Sequence, residues 1–436
     1  MTLNGVTAVF LCGGIGKRMF PLMEDKFLFR FLDKTLIEHQ MELAKKAGIN
    51  EFVIIANPSS IERIRNIFHD DNMHIAVQRE PRGMADALLS AKELLLGKEI
   101  IIANPNDIID SSAYESVAKA DQTCILGYEV NDYFPGGYLV VDGDTLKSIV
   151  EKPPPGQEPS NLVNIVVHLH RDTGVLFKAL ENARSSKDDV YERALDEIAK
   201  TGSIKVARYK GKWIPIKYPW HLLAATEHFL TNTKRSIADT AKISEKATID
   251  GNVIIDEHAR VLENAVIRGP CYIGKNSVIG NKVLIWNNSH IGDNCVVGYG
   301  TEIKKSYIGS NCWFHSSYIG DSVIDDNCSF GAGTVTANFR FDEKNVMVSI
   351  KKEQVDTALD KFGTIVGSNS KTGVNTSIMP GIKIGPNSFV GPHVSLAKDL
   401  EPNKMILMEP NYRVTDNKVE LSEEKKRELM KKLERL

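Results

Sequence analysis

The residue types best suited to hold a phosphate stand close to the amino terminus. Gly13, Gly14 and Gly16 follow a run of apolar residues, and glycines let the backbone approach a phosphate so closely that its amides can bind it. Arg18 and Lys26 come next, and two such cations can neutralise a triphosphate. The glycines alone could equally form a tight turn, because the spacings of the dinucleotide fingerprint and of Walker A do not match. The added cations favour a phosphate-binding loop.

A second segment with the means for acid–base chemistry lies at His315. Imidazole is the side chain that most readily accepts a proton near neutral pH. A single histidine in a turn is nevertheless more often a surface residue than a catalytic one. Which of the two applies depends on the residues around His315 and on the fold that carries them.

The first 230 or so residues alternate short apolar runs with helical patterns. The predicted strands are Thr7–Cys12, Phe52–Ala56, His74–Gln78, Glu99–Ala103 and Thr123–Tyr128, and the predicted helices are Thr35–Ala47, Ser60–Phe68 and Met84–Leu96. This alternation predicts an α/β domain with a parallel sheet and right-handed crossovers. Ligands bind beyond the carboxyl ends of the strands in such sheets, so we expect binding loops after Cys12 and Ala103.

From about residue 240 an aliphatic residue recurs every six positions, from Ile243 through Ile303. The register slips at Ile308, the pattern breaks between 337 and 363, and it returns at Ile378. A six-residue period excludes a helix and predicts a β-solenoid with three short strands per coil. Interruptions of a solenoid are usually loops, and loops carry sites. Residues 421–436 have the pattern of an amphipathic helix, most simply a solvated or packing helix.

The composition is that of a soluble globular chain, since 42% of the 436 residues are hydrophobic and 25% are charged. It excludes a disordered chain, a collagen-like repeat and a coiled coil. With a net charge of -2 the chain has no basic excess with which to bind nucleic acid. The six cysteines are scattered without a C-x-x-C pair, which favours buried thiols in a reducing compartment. No signal peptide or membrane span is recognisable, so we expect a cytoplasmic protein that does not bind membranes.

The glycine segment resembles the signature of the sugar-phosphate nucleotidyltransferase family. It reads Gly13-Gly-Ile-Gly-Lys-Arg-Met19, followed by Lys26 and by Leu-Ile-Glu-His at residues 36–39. The resemblance implies a Rossmann-like α/β domain in which Arg18 and Lys26 stabilise charge on a leaving pyrophosphate, with UTP or dTTP as the nucleotide. The implied binding residues are Gly13, Gly14, Gly16, Gln78 and Gly83 for the nucleotide, Gly137, Glu151 and Asn164 for a sugar 1-phosphate, and Asp107 for Mg²⁺.

The chain departs from this family's pattern in two segments. The family's N-A-G-I-Y appears as Asn164-Ile-Val-Val-His168, and its W-x-D-I-G appears as Trp213-Ile-Pro215-Ile-Lys217. Pro215 replaces the aspartate that usually completes the metal site, and a proline side chain cannot coordinate a metal. Either one carboxylate and phosphate oxygens hold the metal, or this half is weakened. Mg²⁺ often keeps several waters, so a single carboxylate does not exclude activity.

The solenoid resembles the left-handed β-helix of hexapeptide-repeat acyltransferases. Residues 302–344 resemble the acetyltransferase half of the bifunctional glucosamine-1-phosphate acetyltransferase/N-acetylglucosamine-1-phosphate uridylyltransferase family, with its H-x-x-Y-[IL]-G-D, its G-A-G-T-[IV]-T-x-N and a lysine six residues later, all in order. This motif favours a catalytic His315, which by the resemblance deprotonates an amino sugar that attacks acetyl-CoA. The resemblance assigns Lys304 and Lys344 to the sugar phosphate, Tyr318 and Asn338 to the sugar, and the backbone of Ala332 to the thioester carbonyl.

These observations predict a nucleotidyltransferase domain at 1–235, a left-handed β-helix acetyltransferase domain at 236–402, and a tail at 403–436. The leading hypothesis is a bifunctional enzyme of UDP-N-acetylhexosamine synthesis that uses Mg²⁺, acetyl-CoA and UTP or dTTP. The alternatives are an acetyltransferase whose first half is inactive or weakened, and a non-catalytic scaffold subunit. Because a heterologous contact between solenoid faces can close at three subunits, a homotrimer is expected.

Overall fold

The computed structural model describes residues 3–69, 72–409, 411–420 and 422–434. Strands and helices alternate through the first half, as the apolar pattern predicts. Its strands are β1 Thr7–Cys12, β2 Arg30–Phe31, β3 Lys34–Thr35, β4 Glu51–Ala56, β5 Met73–Val77, β6 Ile100–Ala103, β7 Asp107–Ile108, β8 Thr123–Glu129, β9 Gly137–Asp142, β10 Thr145–Glu151, β11 Leu162–His170, β12 Ile204–Tyr209 and β13 Ile214–Pro215. Its helices are α1 Leu36–Lys46, α2 Ile61–Ile67, α3 Met84–Ser90, α4 Lys92–Leu95, α5 Ser112–Ala118, α6 Thr173–Asn182, α7 Val190–Ala199 and α8 His221–Thr231.

The central sheet of this half has the order β5-β4-β1-β6-β11-β8-β12-β10-β9. Its first four strands are parallel, which confirms the predicted crossovers. The fifth predicted strand, β8, runs in the same direction, but β11, a strand that the sequence analysis did not predict, lies between β6 and β8 and is antiparallel to both. The predicted helix Met84–Leu96 is also interrupted, since α3 ends at Ser90 and α4 begins at Lys92. Alternating apolar runs are the same in both strand directions, so the pattern alone could not show the reversal.

The second half is a parallel β-helix built from three sheets that share one apolar axis. The first sheet is Ser236–Ile237, Val253–Ile255, Cys271–Ile273, Ser289–Ile291, Tyr307–Ile308, Val323–Ile324, Ile365–Val366 and Lys383–Ile384. The second sheet is Lys242–Ile243, Arg260–Val261, Val278–Ile279, Val296–Val297, Trp313–Phe314, Ser329–Phe330, Lys371–Thr372, Phe389–Val390 and Met405–Ile406. The third sheet is Thr248–Asp250, Val266–Arg268, Leu284–Ile285, Glu302–Lys304, Tyr318–Gly320, Val335–Thr336, Ser377–Ile378 and Ser395–Leu396.

The predicted inward residues do form the core of this helix. Ile255, Ile273 and Ile291, for example, follow one another in register along the first sheet and are buried. Many of the turns contain an asparagine in the left-handed backbone region, among them Asn276 and Asn294. A short polar side chain tolerates this conformation better than most side chains do. The interruption after residue 336 contains a hairpin of Met347–Ile350 and Glu353–Asp356.

The two halves pack together through a shared apolar cluster. Phe29 and Phe31 of the first half contact the ring of Tyr307 in the first sheet of the β-helix. Tyr307 in turn stacks on His290, and His290 stacks on Tyr272. The hairpin of the interruption joins the same cluster through Val348 and Ile350, among other residues. The interruption therefore helps to hold the two halves together.

The six cysteines are free and buried. Among the described residues, no helix is long and apolar enough to cross a membrane. At the carboxyl end a helix, α9, covers Glu423–Leu433 and is exposed along its whole length. The amphipathic pattern at residues 421–436 includes 421, 435 and 436, which lie outside the described residues.

Candidate active sites

The loops at the carboxyl edge of the first sheet enclose a cavity of about 380 Å³. All five residues predicted to bind the nucleotide line it: Gly13, Gly14, Gly16, Gln78 and Gly83. The amide of Gln78 donates to the backbone oxygen of Gly83 at 3.0 Å and to Asp86 Oδ2 at 3.0 Å. A Cβ atom on Gly13 would overlap the Oε1 atom of Gln78. A side chain at position 13 would therefore displace the Gln78 amide from its present place in the cavity.

Asp107 and two lysines form a charged group beside this cavity. Asp107 begins β7, and its register partner in β13 is Pro215. Burial raises the pKa of Asp107 to about 6, although the nearby Lys217 and Lys26 lower it. Lys26 donates from Nζ to the backbone oxygen of Ile216 at 3.1 Å, and burial lowers the pKa of this lysine. Arg18 is exposed at the same edge and is close enough to lower the pKa of both lysines.

The sequence analysis did not predict Lys217 as a site residue. Its Nζ donates to the backbone oxygen of Pro135 at 3.0 Å and lies 3.5 Å from the centre of the Phe134 ring. Burial lowers the pKa of Lys217 to about 8. Where the resemblance leads one to expect a second carboxylate, the chain thus has a proline and places an ammonium group close by. The only hint in the sequence was that Lys217 stands two residues after Pro215.

The residues around Asp107 fit a Mg²⁺ ion that arrives with a triphosphate. Mg²⁺ prefers oxygen ligands and commonly binds one or two carboxylates together with substrate phosphates. Asp107 offers a carboxylate, and the side-chain oxygen of the adjacent Asn106 is buried without a hydrogen-bond partner among the described residues. Within the described part of the chain, no group of three or more His, Cys, Asp or Glu side chains could hold a metal. A metal held by the protein alone does not fit.

The three residues predicted to contact the sugar phosphate come together next to this group. A Cβ on Gly137 would lie 2.9 Å from Glu151 Oε2 and 3.6 Å from the Cβ of Asn164. Gly137 begins β9 and is paired with Glu151 at the end of β10. Glu151 and its neighbour Lys152 both act on the pKa of Lys217, which places this cluster beside Asp107.

In the β-helix the structure gathers three of the predicted sugar-binding residues: Lys304 and Tyr318 on the third sheet, and Asn338 just after its strand Val335–Thr336. The amide of Asn338 donates to the hydroxyl of Tyr318 at 3.3 Å and to Asp321 Oδ2 at 2.5 Å. Lys304 and Lys361 both lower the pKa of Asp321, which burial raises. Lys304 and Asp321 line a cavity of about 480 Å³ between the two halves of the chain. Asp321 belongs to the motif that follows His315, but the sequence analysis gave it no role.

His315 and Ala332 lie on neighbouring turns at one edge of the third sheet. The backbone amide of His315 donates to Phe330 at 3.0 Å, and the next turn stacks on it through Gly333, whose amide donates to Ser316. The side chain of His315 is exposed. Lys344 is exposed in the loop before the hairpin, where its backbone amide donates to Asp342 Oδ1 at 3.4 Å. The structure therefore joins His315 with Ala332 but does not bring Lys344 into the cluster around Asp321.

Comparison with known proteins covers both halves. Residues 7–216 match the family described as nucleotidyl transferase, and residues 270–305 and 363–398 match bacterial transferase hexapeptide repeats. The chain is 36% identical over 405 residues to the bifunctional protein GlmU of Methanococcus aeolicus, covering 92% of this chain and 96% of that protein. It is 31% identical to a bifunctional sugar-1-phosphate nucleotidylyltransferase/acetyltransferase of Sulfurisphaera tokodaii, covering 90% of this chain and 98% of that protein.

The chain belongs to the GlmU family. As a member of that family it has a nucleotidyltransferase half and an acetyltransferase half, and its β-helix is of the left-handed hexapeptide type. The hypothesis of a non-catalytic scaffold is not favoured. The same holds for an acetyltransferase with an inactive first half. A relative from Methanocaldococcus jannaschii, also called bifunctional protein GlmU, is 34% identical over 406 residues and covers 92% of this chain.

Proposed function

We propose that the chain acetylates glucosamine 1-phosphate with acetyl-CoA and transfers a uridylyl or thymidylyl group to a sugar 1-phosphate. The observation that carries the nucleotidyl assignment is the placement of all five predicted nucleotide residues around one cavity, with Asp107 and two lysines beside it. The two reactions can follow one another, because an acetylated sugar 1-phosphate made in the second half is a substrate for the first half.

In the first half, a phosphate oxygen of the sugar 1-phosphate attacks the α-phosphorus of the triphosphate in line. A new P–O bond forms as the bond to the β-phosphate oxygen breaks, and pyrophosphate leaves. Arg18 and Lys26 stabilise the charge that develops on the leaving group, because such transfers depend on positioning and electrostatics more than on covalent help. Asp107 and Asn106 would hold Mg²⁺, which when bound neutralises phosphate charge.

In the second half, His315 accepts a proton from the amino group of the sugar as that amine attacks the thioester carbon of acetyl-CoA. The C–N bond forms, the C–S bond breaks, and coenzyme A leaves as the thiol after its sulfur takes the proton from His315, which returns the imidazole to its neutral form. The backbone amide of Ala332 would donate to the developing oxyanion, a role that requires a fixed donor. Lys304, Tyr318 and Asn338 would hold the phosphosugar, and Lys344 requires a movement of its loop to reach it.

We infer a homotrimer assembled through the β-helix. The second sheet exposes large apolar side chains at Trp313, Phe389 and Met405. Trp313 lies two residues before His315, so a neighbouring subunit that covers it would also enclose the histidine. Phe389 and Met405 are neighbours in register, Trp313 lies three strands before Phe389 on the same face, and exposed apolar side chains along one face commonly mark an interface.

One experiment tests both assignments. Release of pyrophosphate and of coenzyme A should be measured separately over a panel of hexose and hexosamine 1-phosphates with UTP and dTTP. In Asp107→Ala we expect pyrophosphate release to fall at least about 100-fold, because the carboxylate acts on the metal and on both lysines, while coenzyme A release stays unchanged. A wild-type protein that releases no pyrophosphate with any substrate pair would contradict the first assignment.

A further inference from the structure

A buried chain of hydrogen bonds runs from the core of the first half to Asn164. His170 Nε2 lies 3.1 Å from the hydroxyl of Tyr191, and that hydroxyl lies 2.7 Å from His168 Nδ1. His168 Nε2 lies 2.9 Å from Asn164 Oδ1. Both histidines and Tyr191 are buried, whereas Asn164 is only half-buried. We call these four residues the relay.

The contact between His168 and Asn164 depends on an irregularity in β11. Residues four apart in a regular strand are separated by about 13 Å, too far for their side chains to bond. The register of β11 against β8 jumps from Ile165 to His168, so the intervening residues form a bulge. The bulge shortens the strand between Asn164 and His168 and turns both side chains toward each other. Bulges often re-aim a side chain in this way next to a functional site.

The chemistry of the groups fixes the direction of every proton in the relay. The Oδ1 atom of Asn164 can only accept, so His168 must donate to it from Nε2. A neutral imidazole carries one proton, so His168 Nδ1 accepts from the hydroxyl of Tyr191. The Tyr191 oxygen then accepts from His170 Nε2. Burial lowers the pKa of both histidines to about 3; at His168 the neighbouring His170 lowers it too, while the backbone carbonyl of Ile165 raises it. Both imidazoles are therefore neutral at physiological pH.

We propose that the relay positions the side-chain amide of Asn164 so that its nitrogen donates to the sugar 1-phosphate. With Oδ1 held by His168, the NH₂ group of Asn164 must face away from the core. Within the described residues that nitrogen has no hydrogen-bond partner, and Asn164 packs beside Gly137 and Glu151, since a Cβ on Gly137 would lie 3.6 Å from the Asn164 Cβ and 2.9 Å from Glu151 Oε2. An amide held in one orientation presents two donors to a phosphate or hydroxyl oxygen and rejects a rotated substrate. His168, Tyr191 and His170 do not touch the substrate, and they act through Asn164.

The proposal rests on the nucleotidyl transfer proposed above, and the test uses the full chain. Tyr191→Phe removes the central hydroxyl of the relay. We expect the KM for the sugar 1-phosphate to rise about three- to tenfold, the effect of one lost neutral hydrogen bond. The KM for UTP and the rate of coenzyme A release should not change. Tyr114→Phe is the matched control, because its hydroxyl is equally buried but has no partner among the described residues.

Two further measurements separate positioning from stability. In an Asn164→Ala background, Tyr191→Phe should have no further effect on the KM for the sugar, since the relay acts only through that amide. In the wild-type protein, long-range ¹H–¹⁵N spectra should show His168 as the neutral Nε2–H tautomer between pH 5 and 8, whether or not the substrate has been identified.

An Nδ1–H tautomer at His168, or an equal loss from Tyr191→Phe with and without Asn164, would overturn the proposal. So would a variant whose kinetics are unchanged and whose only defect is a lower melting temperature. A wild-type protein without nucleotidyl transfer would instead overturn the proposed function, and the tautomer would then decide whether the relay itself exists.

Discussion

At the scale of single residues, His315 is the group on which acetyl transfer should depend most. A general base typically contributes about 10²- to 10⁴-fold in rate, so we expect His315→Ala to lose that much coenzyme A release. Its melting temperature should hardly change, because the exposed imidazole adds little to a solenoid stabilised by buried aliphatic residues. Pyrophosphate release should also be unchanged.

A matched control for this prediction is available on the same solenoid. His393 is also exposed in a turn of the β-helix but lies outside the predicted site. His393→Ala should keep wild-type acetyl transfer. If His315→Ala kept near-normal coenzyme A release, the assignment of His315 as the base would be wrong.

Individual residues were predictable from the sequence where a motif fixes them and not where only the fold does. Gly13, Gln78 and Gly83 were named from short segments, and the structure places them around one cavity. Lys217 and Tyr191 could not be named, because Lys217 approaches Asp107 only through the pairing of β13 with β7, and Tyr191 reaches His168 of β11 from helix α7. Pairings between distant segments leave no local signal in one sequence.

At the scale of elements, the ladder between β7 and β13 makes a direct prediction about the metal. Pro215 is the register partner of Asp107, so an aspartate at 215 would place a second carboxylate near the first. In Pro215→Asp combined with Lys217→Gly, we expect half-maximal pyrophosphate release at a Mg²⁺ concentration about tenfold lower, the size of effect that groups around a metal commonly have. The two substitutions belong together, because Lys217 repels a cation.

The control for this pair is Lys217→Gly alone. It removes the ammonium group without adding a ligand, so its Mg²⁺ requirement should change less than that of the double variant. A double variant with an unchanged Mg²⁺ dependence would show that β13 does not face the metal. In that case Asp107 would have to act from β7 alone.

The elements differ in how well the sequence predicts them. The six-residue repeat is typical of a β-helix, and nearly every inward residue of that helix could be predicted by its position in the repeat. The bulge in β11 was not, because Val166 and Val167 continue the same apolar run as their neighbours. The sequence pattern thus predicts that a strand exists, whereas the displacement that brings Asn164 to His168 depends on pairing with β8.

At the scale of the whole molecule, the exposed face of the second sheet predicts assembly. Trp313 is 51% exposed in the isolated chain, next in register to Val296 and Ser329. We expect sedimentation equilibrium to give the mass of three chains at micromolar concentration. Trp313→Glu should dissociate the trimer, because it would bury an unpaired charge, and should reduce acetyl transfer more than nucleotidyl transfer. A monomeric wild-type protein would contradict the prediction.

The junction between the halves predicts how stability depends on pH. Asp325 is buried where the first sheet of the β-helix meets the segment around Met23 and Glu24. Burial, with Asp326 and Glu24, raises the pKa of Asp325 to about 7, although the backbone amides of Asp326 and Met23 lower it. Asp293 and Arg30 also face this junction, and Arg30 lowers the pKa of Asp326, which burial raises.

The direction in which stability changes with pH depends on whether the folded or the unfolded protein holds the proton on Asp325. Between the ordinary value of 3.8 and about 7, the folded protein keeps a proton on Asp325 that the unfolded chain has lost. The stability that this proton contributes is complete below pH 4 and is lost as the pH rises through 7, with a slope of at most about 1.4 kcal/mol per pH unit.

Asp325→Asn cannot ionise, so its melting temperature in calorimetry should fall less than that of the wild type between pH 5 and pH 8. Asp121→Asn, on the surface of the first half, should follow the wild-type curve. Parallel curves for wild type and Asp325→Asn would mean that the carboxyl is already ionised in the folded protein.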